Sequence, residues 1–125
     1  MSLKLGVWKI NENGAEGTFD ILNVNPETGE VSGQIYGDLT GPFAGVFDET
    51  SRTITFVCQG QPMIFAPRLF KGILFSTPRN PAPGQDVVWT LAGFVQFTDL
   101  GGAGHMGGNA RRTVFGWFAQ ITEVG

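Results

Sequence analysis

The chain predicts an all-β domain: an up-and-down meander of eight antiparallel strands that closes into a barrel. Three features carry this reading. Nineteen glycines and seven prolines punctuate short apolar runs at fairly regular spacing, the pattern of sandwiches and barrels. Within the runs apolar residues recur at every second position and β-branched and aromatic types dominate. No long window shows the recurrence of about 3.6 residues that marks a helix. The connections are short, and a parallel crossover needs about a dozen residues or more, so sequential strands pair antiparallel. Eight such strands suit a sandwich or a barrel. Closure removes the exposed edges and leaves an interior just wide enough for side chains or one small ligand, which favours the barrel.

Five strands are predicted in the first half, near Lys4–Ile10, Gly17–Val24, Glu30–Gly37, Phe43–Asp48 and Thr53–Cys58. The turns between them are Asn11-Glu12-Asn13-Gly14, Asn25-Pro26-Glu27-Thr28-Gly29 and Asp48-Glu49-Thr50-Ser51-Arg52. Asn and Asp tolerate left-handed backbone, Pro presets φ and Gly reaches positive φ, so these segments reverse the chain cheaply. Alternation assigns an inward set: Gly6, Trp8 and Ile10; Phe19 and Ile21; Val31, Gly33 and Ile35; Phe43, Gly45 and Phe47; Ile54, Phe56 and Cys58. The opposite face carries Lys9, Thr18, Asp20, Ser32, Gln34, Asp48, Thr53 and Thr55, and meets water.

Three longer strands follow, near Met63–Phe75, Asp86–Thr98 and Arg112–Glu123. Here both faces are apolar. Val87, Trp89 and Leu91 oppose Val88, Ala92 and Phe94, and Val114 and Phe118 oppose Phe115, Trp117, Ala119 and Ile121. A barrel strand needs one buried face, so the second predicts an association surface. Phe94, Phe115, Trp117 and Ile121 are assigned to it, with the partner a second copy of the chain in a homodimer or homotetramer. A sandwich with a loop over these strands is the alternative.

The totals bound the rest. At 125 residues the chain is one domain, residues 1–125, able to bury roughly two-thirds of its unfolded surface. Charged residues make up 15%, against about 25% in an ordinary soluble domain, so much of the surface is neutral. A net charge of −3 and scattered basic residues argue against a nucleic-acid partner. Cys58 is the single cysteine, so no intrachain disulfide forms, in keeping with a reducing compartment. No signal segment or membrane-length apolar run is evident, which makes cytoplasmic the default expectation.

The order of features resembles the avidin family. Gly6-Val7-Trp8, an Asn/Gly turn and Gly17-Thr18-Phe19-Asp20-Ile21 are similar to that family's opening hairpin. Gly29-Glu30-Val31-Ser32-Gly33-Gln34-Ile35-Tyr36 resembles its third strand, Trp89-Thr90-Leu91 its seventh, and Thr113-Val114-Phe115-Gly116-Trp117-Phe118 its last. The resemblance implies an eight-stranded antiparallel barrel that assembles through its later strands, commonly as a tetramer. It does not extend to the biotin-contacting residues. Ile10 stands where the family has asparagine, Gly14 or Ala15 where it has serine, Ile35 where it has tyrosine, and Phe118 where it has aspartate. An unpaired ureido group costs several kcal/mol in total, so tight biotin binding is not expected.

No catalytic or metal-binding set stands out. Gly102-Ala103-Gly104-His105-Met106-Gly107 has the literal Gly-x-Gly-x-x-Gly spacing, yet a strand follows it where a dinucleotide site needs a helix. One histidine and one cysteine do not make a zinc site. Cys58 reads as a small buried hydrophobe. Arg111 and Arg112 read as a solvated hairpin base, or as an anion site at the rim. Arg68 and Lys71 lie in an apolar run, one of them able to meet an acidic ligand inside, though snorkelling at an interface suits both. The carboxylates fall mostly at strand ends and do not converge.

The sequence therefore predicts a non-enzymatic barrel that associates with itself and needs no cofactor. Trp8, Phe19, Ile35, Phe47, Phe56, Trp89 and Phe118 are assigned to its interior, as a filled core or as the lining for a small hydrophobic ligand. Two other readings stay open: a barrel isomerase or cyclase acting on an apolar substrate, favoured by a buried Arg68 or Glu30, and a structural or partner-binding module.

Overall fold

The structure, a computed structural model, describes residues 3–59, 67–99 and 111–125. Eight strands follow in order: β1 (Gly6–Glu12), β2 (Ala15–Val24), β3 (Glu30–Tyr36), β4 (Gly41–Asp48), β5 (Thr53–Cys58), β6 (Arg68–Thr77), β7 (Val87–Asp99) and β8 (Arg111–Glu123). Each pairs antiparallel with the next, and β8 pairs back onto β1 from Lys9↔Gln120 to Glu12↔Trp117, closing the barrel. The predicted architecture is the observed one. Among the described residues no helix is long and apolar enough to cross a membrane.

The first hairpin is tighter than predicted. Asn13 and Gly14 alone form the turn, with φ of 50° and 94°, the two-residue arrangement whose twist matches that of the strands it joins. β1 therefore runs on to Glu12, paired with Ala15. β6 is described from Arg68, so the predicted start at Met63 lies outside the described residues, as does the whole Gly102–Gly107 stretch with His105.

Alternation places the core. Trp8, Ile10, Phe19, Ile21, Val31, Ile35, Phe43, Phe47, Ile54, Phe56 and Cys58 all point inward and are buried, as predicted. Leu91 and Val95 join them from β7, and Phe70 and Leu74 from β6. Closing so small a barrel bends the strands sharply, and inward glycines on β3, β4, β6 and β7 permit it. A Cβ on Gly33, Gly45 or Gly93 would stand only 1.9–2.0 Å from a carbonyl oxygen of a neighbouring strand.

β8 presents its faces the other way round from the prediction. Trp117 is buried inside, and Phe115 and Ile121 pack inward against the core, whereas Phe118 points outward and is 44% exposed. Period two groups side chains by face but does not say which face is inner when both are apolar. The small partners of Trp117 decide it. Gly72 and Gly93 face each other on β6 and β7, and Gly93 pairs with Trp117. The indole lies over this glycine pair, and its Nε1 donates to Lys71 O and Phe94 O, both at 3.1 Å.

Candidate functional site

Three regions were assigned a role by sequence: the interior, the outer face of the late strands, and the charged residues near the barrel ends. The interior is packed with rings. Phe56 stacks on Phe70 with centroids 4.6 Å apart and on Phe19 at 5.2 Å, and Phe43 lies 4.6 Å from Phe19. Trp117 meets Phe56 and Phe70 edge-on at 5.6 and 5.4 Å. Such spacings are those of aromatic side chains in contact. Of the seven residues assigned to the interior, Trp8, Phe19, Ile35, Phe47 and Phe56 are there and buried, Trp89 is inside and half-buried, and Phe118 is outside.

Among the described residues, open grooves lie outside the wall. One of about 980 Å³ is lined by Asn23, Glu27, Glu30, Ser32 and Val46, and one of about 500 Å³ by Lys9, Asn11, Glu16, Thr18 and Phe118.

The outer face of β6, β7 and β8 carries several exposed apolar side chains, with Lys71, the cross-strand partner of Phe94, among them. Ile73, Phe75, Phe94, Val114 and Phe118 are all exposed there, Phe94 at 68%. Phe94 is paired with Gly116 and Phe118 with Ala92. On adjacent strands these four positions form a square with a ring and a small residue alternating at its corners. Of the predicted interface residues, Phe94 belongs to this face, whereas Phe115, Trp117 and Ile121 belong to the interior.

The ends of the barrel hold the charge. At the end reached by the β1–β2 turn, Glu12 continues the inward series of Trp8 and Ile10 and is buried, its side chain only 1% exposed. Arg68, inward at the start of β6, brings Nη1 to 2.6 Å from Glu12 Oε2 and 2.9 Å from Asp38 Oδ2. Its guanidinium lies 4.8 Å from the centre of the Phe97 ring and 5.6 Å from that of Phe115. Glu12 Oε1 is buried without a hydrogen-bond partner. Burial holds the Glu12 carboxyl above its usual 4.5, against the opposing pull of Arg68. Cys58 sits in the same region and donates to Gly41 O at 3.6 Å. Burial, reinforced by Glu12, pushes its thiol up to about 11, so it is a poor nucleophile at neutral pH.

At the other end Trp89 Nε1 donates to Glu123 at 3.2 Å, Lys4 pairs with Glu123 at 2.9 Å, and Lys4 and Arg52 each lie 5.8 Å from the indole centre. These groups are largely exposed, and exposed pairs contribute little. Glu30, the other charge considered for the interior, is exposed. The side chains of Arg111 and Arg112 lie outside the described residues. Among the described residues no three His, Cys, Asp or Glu side chains gather as a metal site.

Sequence reasoning missed Glu12 and Asp38. The signal for Glu12 was present: Asn13-Gly14 is the strongest short hairpin pair, and alternation from Trp8 and Ile10 then sends Glu12 inward. Asp38 lies between β3 and β4, where alternation says nothing.

These features define a closed antiparallel barrel with an aromatic core, a cluster of Glu12, Asp38 and Arg68 at one rim and exposed apolar side chains on its outer face. Comparison with protein-family models, curated proteins and solved structures finds no match to the chain.

Proposed function

We propose that the protein is a non-enzymatic barrel that works as a self-assembled unit, two copies meeting through the outer faces of β6–β8. The observation that carries this reading is the square of Phe94, Gly116, Ala92 and Phe118. Let two such faces meet about a two-fold axis lying in the plane between them and parallel to the strands. The partner's Phe94 then stands over Gly116 and the partner's Phe118 over Ala92, so each ring enters a recess on the other copy. A two-fold interface must be self-complementary in this way. The low charged fraction and the exposed Ile73, Phe75 and Val114 around the square support the same reading.

The order of strands and motifs supports placing the chain beside the avidin-like barrels in architecture, without their ligand chemistry. The stacked rings favour a filled core over a cavity for a hydrophobic ligand, and they weigh equally against an isomerase or cyclase that needs room inside for its substrate. Arg68 is largely inside, its side chain 14% exposed, which would favour such an enzyme, but its charge is already met by Glu12 and Asp38.

Sedimentation velocity at micromolar concentration tests the proposal. The native chain is expected to sediment as a dimer or larger, and Phe94→Lys, which places a charge at the centre of the face, as a monomer of unchanged fold. A native monomer, or a Lys variant that still associates, contradicts the reading.

A further inference from the structure

We propose that the Glu12–Arg68 end of the barrel binds a small primary ammonium, held by Glu12 Oε1 and the half-exposed carboxylate of Asp38. Two carboxylates meet one guanidinium there. When both acids are ionised, the described residues leave one negative charge without a counter-charge, and of the two acids Glu12 is closed to water. Arg68 cannot neutralise both: its Nη1 is already shared between Glu12 Oε2 and Asp38 Oδ2, and its planar group is engaged by Phe97 and Phe115. Glu12 Oε1 has no partner, and a buried acceptor left unpaired is costly.

A compact cation with several N–H donors answers both deficits. One donor reaches Glu12 Oε1, another the Asp38 carboxylate, and the nearby rings add a cation–π contribution. The Glu12 side chain is 1% exposed and that of Asp38 47%. Entry is therefore from the Asp38 side, and the bound head must be small. The charged and titratable groups facing Glu12 among the described residues are Arg68, Asp38 and Cys58. The ammonium binds the ionised carboxylate, so binding draws the Glu12 titration to lower pH.

The test is an NMR titration of the full chain, observing side-chain carboxyl carbons, with methylammonium chloride and, at equal ionic strength, tetramethylammonium chloride. Methylammonium is expected to bind saturably and lower the pH at which Glu12 titrates. Tetramethylammonium has the same charge and no donors, and is expected to do neither. Glu12→Gln keeps an acceptor for Arg68 Nη1 and therefore the fold, and is expected to weaken binding roughly tenfold or more. Asp38→Asn, at a half-exposed position, weakens it by a smaller factor. Equal responses to the two salts, undiminished affinity in Glu12→Gln, or a water on Oε1 that methylammonium does not displace would overturn the proposal.

Discussion

At Glu12 the chain buries a carboxylate and gives it only part of what it needs. Removing water from a charge costs several kcal/mol, and a single guanidinium repays this only when the remaining lone pairs are also met. Arg68 meets one oxygen of Glu12, and the other has no partner. Breaking such a pair is therefore expected to cost more than replacing it. Arg68→Met should destabilise the fold by about 3–5 kcal/mol, and Glu12→Met with Arg68→Met by distinctly less, both read from urea unfolding. The same residue sets a pH dependence. Its carboxyl is raised above 4.5 in the folded chain, first by burial. The folded state therefore holds the proton more tightly than the unfolded one. Its contribution to stability is complete below 4.5 and is lost as pH rises through the folded value. Glu12→Gln should accordingly gain stability relative to the native chain between that range and neutrality. An unchanged difference across this range would mean that burial does not govern the group.

At the scale of strands, the inner wall is set by where glycines let a large side chain lie. Trp117 covers Gly72 and Gly93, and a Cβ on Gly93 would stand 1.9 Å from Lys71 O. Gly93→Ala is expected to cost about 3 kcal/mol or more, since the obstacle is backbone and cannot turn aside. Trp117→Phe, which loses two bonds from the indole N–H, should cost about 2 kcal/mol, and thermal unfolding measures both. These contacts also explain what could be read in advance. In β1, β2, β3 and β5 the outward face is largely polar, and in β4 it carries the smaller Pro42, Ala44 and Val46 against Phe43 and Phe47, so alternation gives both the grouping and the direction, and every large side chain expected inside is there. In β8 both faces are apolar. Grouping survives there, but direction depends on the Gly72–Gly93 pair across the sheet, which only the register reveals. The Glu12–Arg68 contact joins residues 56 positions apart, and Asp38 comes from a turn. Local pattern has no access to such a meeting.

At the scale of the molecule, the two faces of the late strands have divided the work. The inner face completes an aromatic core, and the outer face carries Ile73, Phe75, Phe94, Val114 and Phe118 into solvent. The alternation of rings with Gly116 and Ala92 on this face is what the proposed association with a second copy rests on. The most direct measurement is the sedimentation of Gly116→Leu beside the native chain. A Cβ at Gly116 meets nothing nearer than Gly93 O at 3.8 Å, so the barrel itself has room for the new side chain, which fills the recess that the proposed dimer gives to the second copy's Phe94. The account predicts an oligomer for the native chain and a folded monomer for the variant, although the variant is the more hydrophobic of the two. If Gly116→Leu associates as well as the native chain, or better, the fit of ring into recess is contradicted and the face is merely apolar.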